Sequence, residues 1–242
     1  MSEKKKVVII GASQGIGAAV ADEFSRRGCV VGITARNSNN LETVRSCMSG
    51  ECHTRAFDAS APESAMAEFE ALIAEMGGMD IAVINAGTGR PNRDLDWEPE
   101  KETIDINVTG FAAMCNVAYK HFLKQGYGKL AGVSSVIALR GEPGNPAYPA
   151  TKAFASVYLE SLRLNARKRK LPIFVTDIRP GFVDTPLTEG QKGMFWLCSS
   201  RIAATHIVDA VARGKSIAYI PPKWRAVGIA LRHMPDFLYS KM

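Results

Sequence analysis

The chain has 242 residues, 46% of them hydrophobic and 22% charged, with a formal net charge of +6. That balance is the composition of a packed soluble protein, and a chain of this length buries most of its apolar surface without disulfide staples. It excludes a membrane-spanning protein, because no apolar run approaches the ~18 residues that a crossing helix needs.

Apolar, β-branched runs alternate with helical patterns along the chain. KVVII (6–10) reads as a buried strand, followed by a helix over about 15–27; CVVGIT (29–34) reads as a second strand and HTRAF (53–57) as a weaker third. PESAMAEFEALIAEM (62–76) is helical, with Pro62 at its start. MDIAVIN (79–85) is a strand, 97–124 holds one or two helices, KLAGVSS (129–135) is a strand, and a helix covers about 148–169. PIFVTDI (172–178) is a strand, RIAATHIVDAVARG (201–214) a helix closed by Gly214, and SIAYI (216–220) a last strand. This alternation predicts an α/β fold: one doubly wound parallel sheet of about seven strands with helices on both faces. No linker, repeat or low-complexity segment interrupts it, so residues 1–242 are expected to form one domain.

The five cysteines, Cys29, Cys47, Cys52, Cys115 and Cys198, form no C-x-x-C pair and are odd in number. The start MSEKKKVVII carries only a strand-length apolar run, too short for a secretory leader. The cysteines therefore read as reduced thiols in a cytoplasmic protein, and no metal site is expected. Basic clusters occur at 4–6 and in RLNARKRK (163–170). The second has no interleaved aromatic residues, as a single-strand binding platform would require, and suits the C-terminal end of a helix dipole. Nucleic acid is not an expected partner.

Directly after the first strand stands GASQGIG, with Gly11, Gly15 and Gly17. Glycines there let the backbone turn tightly and approach a pyrophosphate resting on the N-terminus of the next helix, and Ser13 could add a hydroxyl. The spacing is G-x-x-x-G-x-G rather than G-x-G-x-x-G. NAD sites usually carry an acid at the end of the second strand for the ribose 2′-hydroxyl. From Phe24 to Leu41 there is no Asp or Glu, and Arg36 sits where a guanidinium could hold a 2′-phosphate. The pairing of a missing carboxylate with a present cation predicts NADP(H); read alone, Arg36 is equally an exposed loop arginine.

In AYPATKAF, Tyr148 and Lys152 fall one helical turn apart. Ser135 ends the fifth strand 13 residues earlier, and doubly wound sheets bind ligands at the carboxyl ends of their strands. Singly, each residue has a bland reading: a half-buried tyrosine, a lysine snorkelling to the surface, a strand-end cap. Together, GASQGIG, INAG (84–87), DINVTG (105–110), GVSS (132–135), YPATK (148–152) and PGFVDT (180–185) resemble, in order and spacing, the short-chain dehydrogenase/reductase family. Ile10 departs from the Thr that many members have before the first glycine. The resemblance implies a Rossmann-like fold and an NADP(H)-dependent oxidoreductase that interconverts a carbonyl and an alcohol.

By the same resemblance, Tyr148 is the general acid or base, Lys152 its charge partner and ribose ligand, and Ser135 the hydrogen-bond partner of the substrate oxygen. Asn107 would hold a water leading from Lys152 to solvent. Gly11, Ser13, Gln14, Gly15, Ile16 and Gly17 would form the phosphate turn, Asp58 would contact adenine, and Asn85, Ala86 and Gly87 would line the adenosine half. Pro180, Gly181, Val183 and Thr185 would clamp the nicotinamide. A free tyrosine has a pKa of ~10, and an ammonium ~4 Å away at an effective dielectric of ~20 acts with ~4 kcal/mol, so Lys152 is expected to make the phenol more acidic.

Residues 186–200, PLTEGQKGMFWLCSS, fall at the family's variable lid; Met194, Phe195, Trp196 and Leu197 would line an apolar, lipid-like substrate pocket or pack onto the domain itself. In the tail (221–242), Val227, Ala230, Leu231 and Met234 share one helical face, and Trp224 is an aromatic of the kind found at membrane interfaces. The tail reads as an intramolecular or subunit contact, with weak membrane-surface association as its second reading. The resemblance implies a homodimer or homotetramer with contacts near 97–124 and 148–169. The alternatives are a non-catalytic NADP(H) sensor, a nucleotide-sugar epimerase or dehydratase, for which the chain leaves little room, and a membrane-surface scaffold.

Overall fold

The computed structural model describes residues 4–190 and 193–239. Its first strand, β1 (Lys6–Ile10), shows how one run of apolar residues serves two cores. Side chains along a strand alternate between faces, so Val8 and Ile10 enter one core while Val7 and Ile9 enter the other, all at 1% exposure or less. The chain continues through α1 (Gly15–Arg26), β2 (Val30–Ala35), α2 (Ser38–Ser46), β3 (Cys52–Ala56), α3 (Pro62–Glu75) and β4 (Ile81–Ile84). Helix α4 (Trp97–Ile104) runs through a π-helical stretch, Asp105–Gly110, into α5 (Phe111–Gln125). Then come β5 (Gly128–Val133), a 3-10 turn (Val136–Leu139), α6 (Ala147–Lys168) and β6 (Ile173–Pro180). The remainder is β7 (Val183–Asp184), β8 (Cys198–Ser199), α7 (Ser200–Ala212), β9 (Ile217–Ile220), α8 (Trp224–His233) and α9 (Asp236–Tyr239).

The central sheet has seven strands in the order β3-β2-β1-β4-β5-β6-β9, every neighbouring pair parallel. Helices α3, α5 and α6 cover one face through Phe69, Leu72, Met114, Phe122 and Leu159. Helices α1 and α7, with Leu41 of α2, cover the other through Val20, Phe24, Ile207 and Val208. The winding reverses between β1 and β4, and that switch point opens a crevice at their carboxyl ends.

All seven predicted strands are present, shifted by a residue or two. Helix α2 is not among the predicted elements. It buries only Leu41 and forms behind a cap: Asn37 Oδ1 accepts from the backbone N–H of Asn39 (2.9 Å) and Asn40 (3.2 Å). The region 97–124 holds two helices joined by the π-helical stretch, and Asn107 lies in that stretch rather than in a regular helix.

The tail departs from its expected face. Trp224 and Gly228 are the buried positions of α8; Val227, Leu231 and Met234 are half-buried beside them and Ala230 is exposed. Trp224, at 4% exposure, is a core residue and not an interface aromatic. Gly228 brings α8 against Tyr219 and Leu139. Beyond it, the Arg140 guanidinium pairs with Asp236 at 2.7 Å and stacks 4.7 Å from the Tyr239 ring, whose hydroxyl donates to the Gly141 carbonyl at 2.8 Å. The tail therefore packs on its own chain. Among the described residues no helix is long and apolar enough to cross a membrane.

Phe122 is fully buried at the centre of the α3–α5–α6 layer. Phe122→Ala is expected to lower the unfolding free energy by ~3–5 kcal/mol. Urea unfolding checks this, with the midpoint falling and the slope unchanged.

Candidate active site

The crevice starts from backbone. Gly11 has φ +84°, and a Cβ there would stand 2.6 Å from the Ala86 backbone nitrogen; one on Gly17 would stand 2.1 Å from the Gly11 carbonyl oxygen. Only glycine permits both approaches. Hydrogen bonds hold the turn to its neighbours on each side. The N–H groups of Gly11 and Ala12 donate to the Thr34 carbonyl (2.9 and 2.8 Å), and those of Asn85 and Ala86 to the Ile10 carbonyl (3.0 and 2.8 Å). Asn85 Nδ2 donates to the Gly11 carbonyl at 2.6 Å. Helix α1 then begins with no side-chain cap and no acid in its first turn. Its first N–H groups are thus left for an anion.

These residues border a cavity of about 580 Å³. Gly11, Ser13, Gln14, Gly15 and Ile16 line one end of it, and Gly17 lies buried behind them. Arg36, Asp58, Asn85, Ala86 and Gly87 line the adjoining stretch. Arg36 is exposed and has no hydrogen-bond or ion-pair partner among the described residues, and the first turn of α2 beside it carries no acid. Asp58 Oδ1 accepts from the Ser60 backbone N–H (2.9 Å) and hydroxyl (2.8 Å).

Ser135, Tyr148, Lys152, Pro180, Gly181, Val183 and Thr185 line the remainder of the same cavity. Lys152 is 6% exposed; its Nζ donates to the Val133 carbonyl at 3.0 Å and lies 5.7 Å from the Tyr148 ring centre. The Ser135 hydroxyl accepts from the Ile137 N–H at 3.2 Å and donates to the Pro180 carbonyl at 3.4 Å, which ties the end of β5 to β6. Asn107 lies behind the wall, 2% exposed. Its Oδ1 accepts from the Thr88 N–H (2.8 Å) and its Nδ2 donates to the Thr88 carbonyl (2.7 Å) and the Thr151 hydroxyl (3.0 Å). It joins the loop after β4 to α6, and a Cβ on Gly87 would stand 3.1 Å from both Asn107 Oδ1 and Lys152 Nζ.

Charge here is governed by burial. Burial pushes the Tyr148 phenol up to about 12, with the Ser135 hydroxyl pulling down and Glu142 adding to the rise. Burial brings the Lys152 ammonium down to about 8, against the favourable charge of Asp177. The expected acidification of Tyr148 by Lys152 is thus not what the chain's own groups produce. The ammonium is turned to the Val133 carbonyl, and the loss of solvent around the phenol outweighs it.

Three features carry no signal in the linear sequence. Gly89 lies flat against the Tyr148 ring, where a Cβ would stand 2.3 Å from Cδ2. The indole of Trp224, from the tail, covers Gly181 and stacks on Phe195 of the lid at 4.9 Å and 25°, with Phe182 edge-on at 5.3 Å. Ser134, the neighbour of Ser135, and Asp177 are buried and joined by a hydrogen bond. In the lid, Phe195, Trp196 and Leu197 remain about half exposed, and Gln191 and Lys192 lie outside the described residues.

A parallel sheet of this order, with a glycine turn at its switch point and a Ser–Tyr–Lys group further along the crevice, defines a dinucleotide-binding α/β protein. The family model described as short chain dehydrogenase matches residues 5–194, and the chain belongs to that family. It is an oxidoreductase of the nicotinamide-dependent kind. An uncharacterized oxidoreductase of Myxococcus xanthus is 36% identical over 223 residues, covering 90% of this chain and 87% of its own. A 3-oxoacyl-(acyl-carrier-protein) reductase of Vibrio cholerae is 29% identical over 189 residues, 77% of each chain. Among solved structures, a 3-ketoacyl-(acyl-carrier-protein) reductase from Brucella melitensis complexed with NADH superposes with a TM-score of 0.82 at 25% identity, over 90% of this chain and 97% of its own. ElxO with NADP bound superposes with a TM-score of 0.79 at 21% identity, over the same shares, and shows the fold.

The buried ammonium of Lys152 gives a stability test. Below about pH 8 it is charged in both the folded and the unfolded chain, and its full burial cost is present. Between about 8 and 10.5 the folded protein releases the proton first and the cost shrinks; above 10.5 neither state carries it. The shift is worth ~3 kcal/mol, partly offset by the bond to Val133. Lys152→Met is therefore expected to melt roughly 5 °C above wild type at neutral pH, with the gain fading towards pH ~10.5. Thermal unfolding across that range checks it, and a gain independent of pH would sink the assignment.

Proposed function

We propose that the chain is an NADP(H)-dependent oxidoreductase that interconverts a carbonyl and an alcohol on an apolar or lipid-like small molecule. The observation that supports this most is that Ser135, Tyr148 and Lys152 border the same cavity as the glycine turn. A nicotinamide cofactor bound there supplies or accepts the hydride. The turn fits its pyrophosphate through free backbone N–H groups, and glycine at 11 and 17 lets that turn close against the Ala86 backbone and onto the Gly11 carbonyl. Arg36 holds the 2′-phosphate, supported by its lack of a partner and by the absence of any acid between Phe24 and Leu41. Asp58 takes the adenine, Asn85, Ala86 and Gly87 line the adenosine half, and Pro180, Gly181, Val183 and Thr185 hold the nicotinamide end.

In reduction, Tyr148 gives its proton to the carbonyl oxygen. A phenol held at about 12 by burial keeps that proton at neutral pH until negative charge develops on the substrate. Ser135 donates to the same oxygen as the charge forms. Lys152 stabilises the phenolate left behind and binds the ribose hydroxyls, and Asn107 sits on the route by which the proton is replaced. The half-exposed Phe195, Trp196 and Leu197 support an apolar substrate, as do relatives that act on acyl chains. We further read the chain as one domain with a lid over 186–200. It assembles as a homodimer or homotetramer through α4–α6, where Trp97, Val157 and Leu164 stand exposed. No observation favours a non-catalytic sensor.

Tyr148→Phe is expected to keep NADPH binding within about threefold and to lower kcat at least ~100-fold on any ketone the wild type reduces. Assays over aliphatic, steroid-like and acyl-chain ketones, followed by NADPH absorbance, check this; equal turnover removes Tyr148 as the acid. Arg36→Asp should weaken NADPH binding ~10–100-fold and NADH binding little, since it removes charge-assisted bonds that only the phosphate makes. An unchanged ratio of the two affinities would show that Arg36 does not read the phosphate.

A further inference from the structure

Beneath α6, on the side of Lys152 away from the cavity, lies a carboxylate that the proposed chemistry does not use. Asp177 is 1% exposed in the middle of β6. It shares its face of the sheet with Val175, which packs under α6. Cross-strand register pairs Asp177 with Gly132 and Ile178 with Val133, the residue whose carbonyl receives the Lys152 ammonium. One residue further along β5, the Ser134 hydroxyl donates to Asp177 Oδ1 and to the Ile178 carbonyl. The other carboxylate oxygen takes the Arg179 Nε–H at 2.7 Å. Arg179 Nη1 in turn donates to the Tyr219 hydroxyl at 3.2 Å, and its guanidinium lies 5.7 Å from the Tyr219 ring centre. A continuous polar chain thus runs from Ser134, beside Ser135, to β9.

A buried carboxylate of this kind is costly unless it is paired and hydrogen-bonded. Its local bonds to Ser134 and Arg179 satisfy it, and its charge remains within reach of Lys152. The titratable groups facing the pair are Tyr148 and Arg163 on α6, Arg179 on β6 and Tyr219 on β9, with Glu142 acting on Tyr148 from the loop before α6. The end of β5 presents the Val133 carbonyl, the residue after it the Ser134 hydroxyl, and the π-helical stretch the neutral Asn107. Among these groups Asp177 is the one whose charge favours the ammonium.

We propose that Asp177 is a positioning residue: a buried counter-charge, anchored by Ser134, Arg179 and Tyr219, that keeps Lys152 in its ammonium form and aimed at the Val133 carbonyl. The inference rests on the reading of Lys152 given above only for its catalytic meaning; the electrostatic coupling stands or falls by itself. Without Asp177 the lysine loses the charge that favours its ammonium form, the form that stabilises a phenolate and holds the ribose as a cation. Arg179 tunes the coupling, because it screens the carboxylate from Lys152.

The test uses the ligand-free protein and no assay of turnover. The melting-temperature gain of Lys152→Met over its parent is plotted against pH, and the pH at which the gain begins to fall marks the lysine's folded-state titration. In the wild-type background that break is expected near 8. In an Asp177→Asn background it should move at least one pH unit lower. In an Arg179→Gln background, where the carboxylate is less screened, it should move higher. The two shifts of opposite sign distinguish charge coupling from general loosening, which would lower every melting temperature and leave the break in place. Should Asp177→Asn fail to fold, the Arg179→Gln arm decides alone. A break unmoved in the folded backgrounds, or moved the same way in both, overturns the proposal. Loss of all reductase activity in the wild type would instead overturn the functional reading and leave this coupling intact.

Discussion

The crevice depends on close backbone approaches at the switch point, where Gly11 meets Ala86 and Gly17 meets the Gly11 carbonyl. Strand order places β1 beside β4, but it is the missing side chains that let α1 start directly above the junction. Once it does, its uncapped N–H groups face outward, the Thr34 and Ile10 carbonyls fix the turn from both sides, and Asn85 closes it with its own amide. This end of the crevice is therefore shaped first by backbone. Substitution at most other places in the molecule costs packing. At Gly11 or Gly17 it would collide with the Ala86 backbone or the Gly11 carbonyl and force the turn itself apart.

The opposite end of the crevice is built on charge held away from water. A lysine 6% exposed and a phenol in the same wall have each been moved by burial away from the charged form, the lysine down to about 8 and the tyrosine up to about 12. Together these directions describe a resting acid: a phenol with its proton, beside an amine that stays charged at neutral pH only narrowly. Such a centre costs stability and stores the capacity to respond, because any positive charge arriving in the crevice lowers the phenol, while one arriving on the lysine's side depresses the amine further. Proteins commonly trade stability for a poised site in this way.

Much of this was legible in the linear sequence, for physical reasons. Strands buried on both faces must be apolar at every position, so KVVII and MDIAVIN announce themselves, and a turn that needs glycine shows glycine. The Tyr148–Lys152 spacing is fixed by the helical repeat, which translates directly into adjacency. What stayed hidden has no local pattern. Helix α2 buries a single side chain, Leu41, and depends on a cap by Asn37. Gly89 meets the Tyr148 ring, and Ser134 meets Asp177, only after the sheet has brought together segments 59 and 43 residues apart. The tail packs on its own chain as its first reading had it, but through another face, because a helical wheel counts apolar residues and cannot see Gly228 giving α8 room to approach Tyr219. The direction of the Tyr148 shift was misjudged for a related reason: spacing reveals a neighbouring charge, whereas desolvation depends on everything packed around it.

The aromatic group at Trp224 joins these strands of argument. It brings together the tail (Trp224), the segment after β6 (Phe182) and the lid (Phe195, Trp196), with ring centres 4.9–6.2 Å apart, and Lys223 lies over the Trp196 ring at 4.9 Å. Trp224 is buried while its lid partners are about half exposed. Rings packed in this way add to the stability that their area provides, so Phe195 and Trp196 rest on Trp224 of α8. The same indole covers Gly181, one residue beyond the Pro180 carbonyl that receives Ser135. Segment 186–200 is thereby joined, through one buried side chain, to the end of β6, whose Pro180 carbonyl receives the Ser135 hydroxyl. The two buried positions of α8 thus divide the work: Trp224 meets Phe182 and Phe195, while Gly228 lets the helix close on Tyr219 and Leu139, which is why α8 packs where it does.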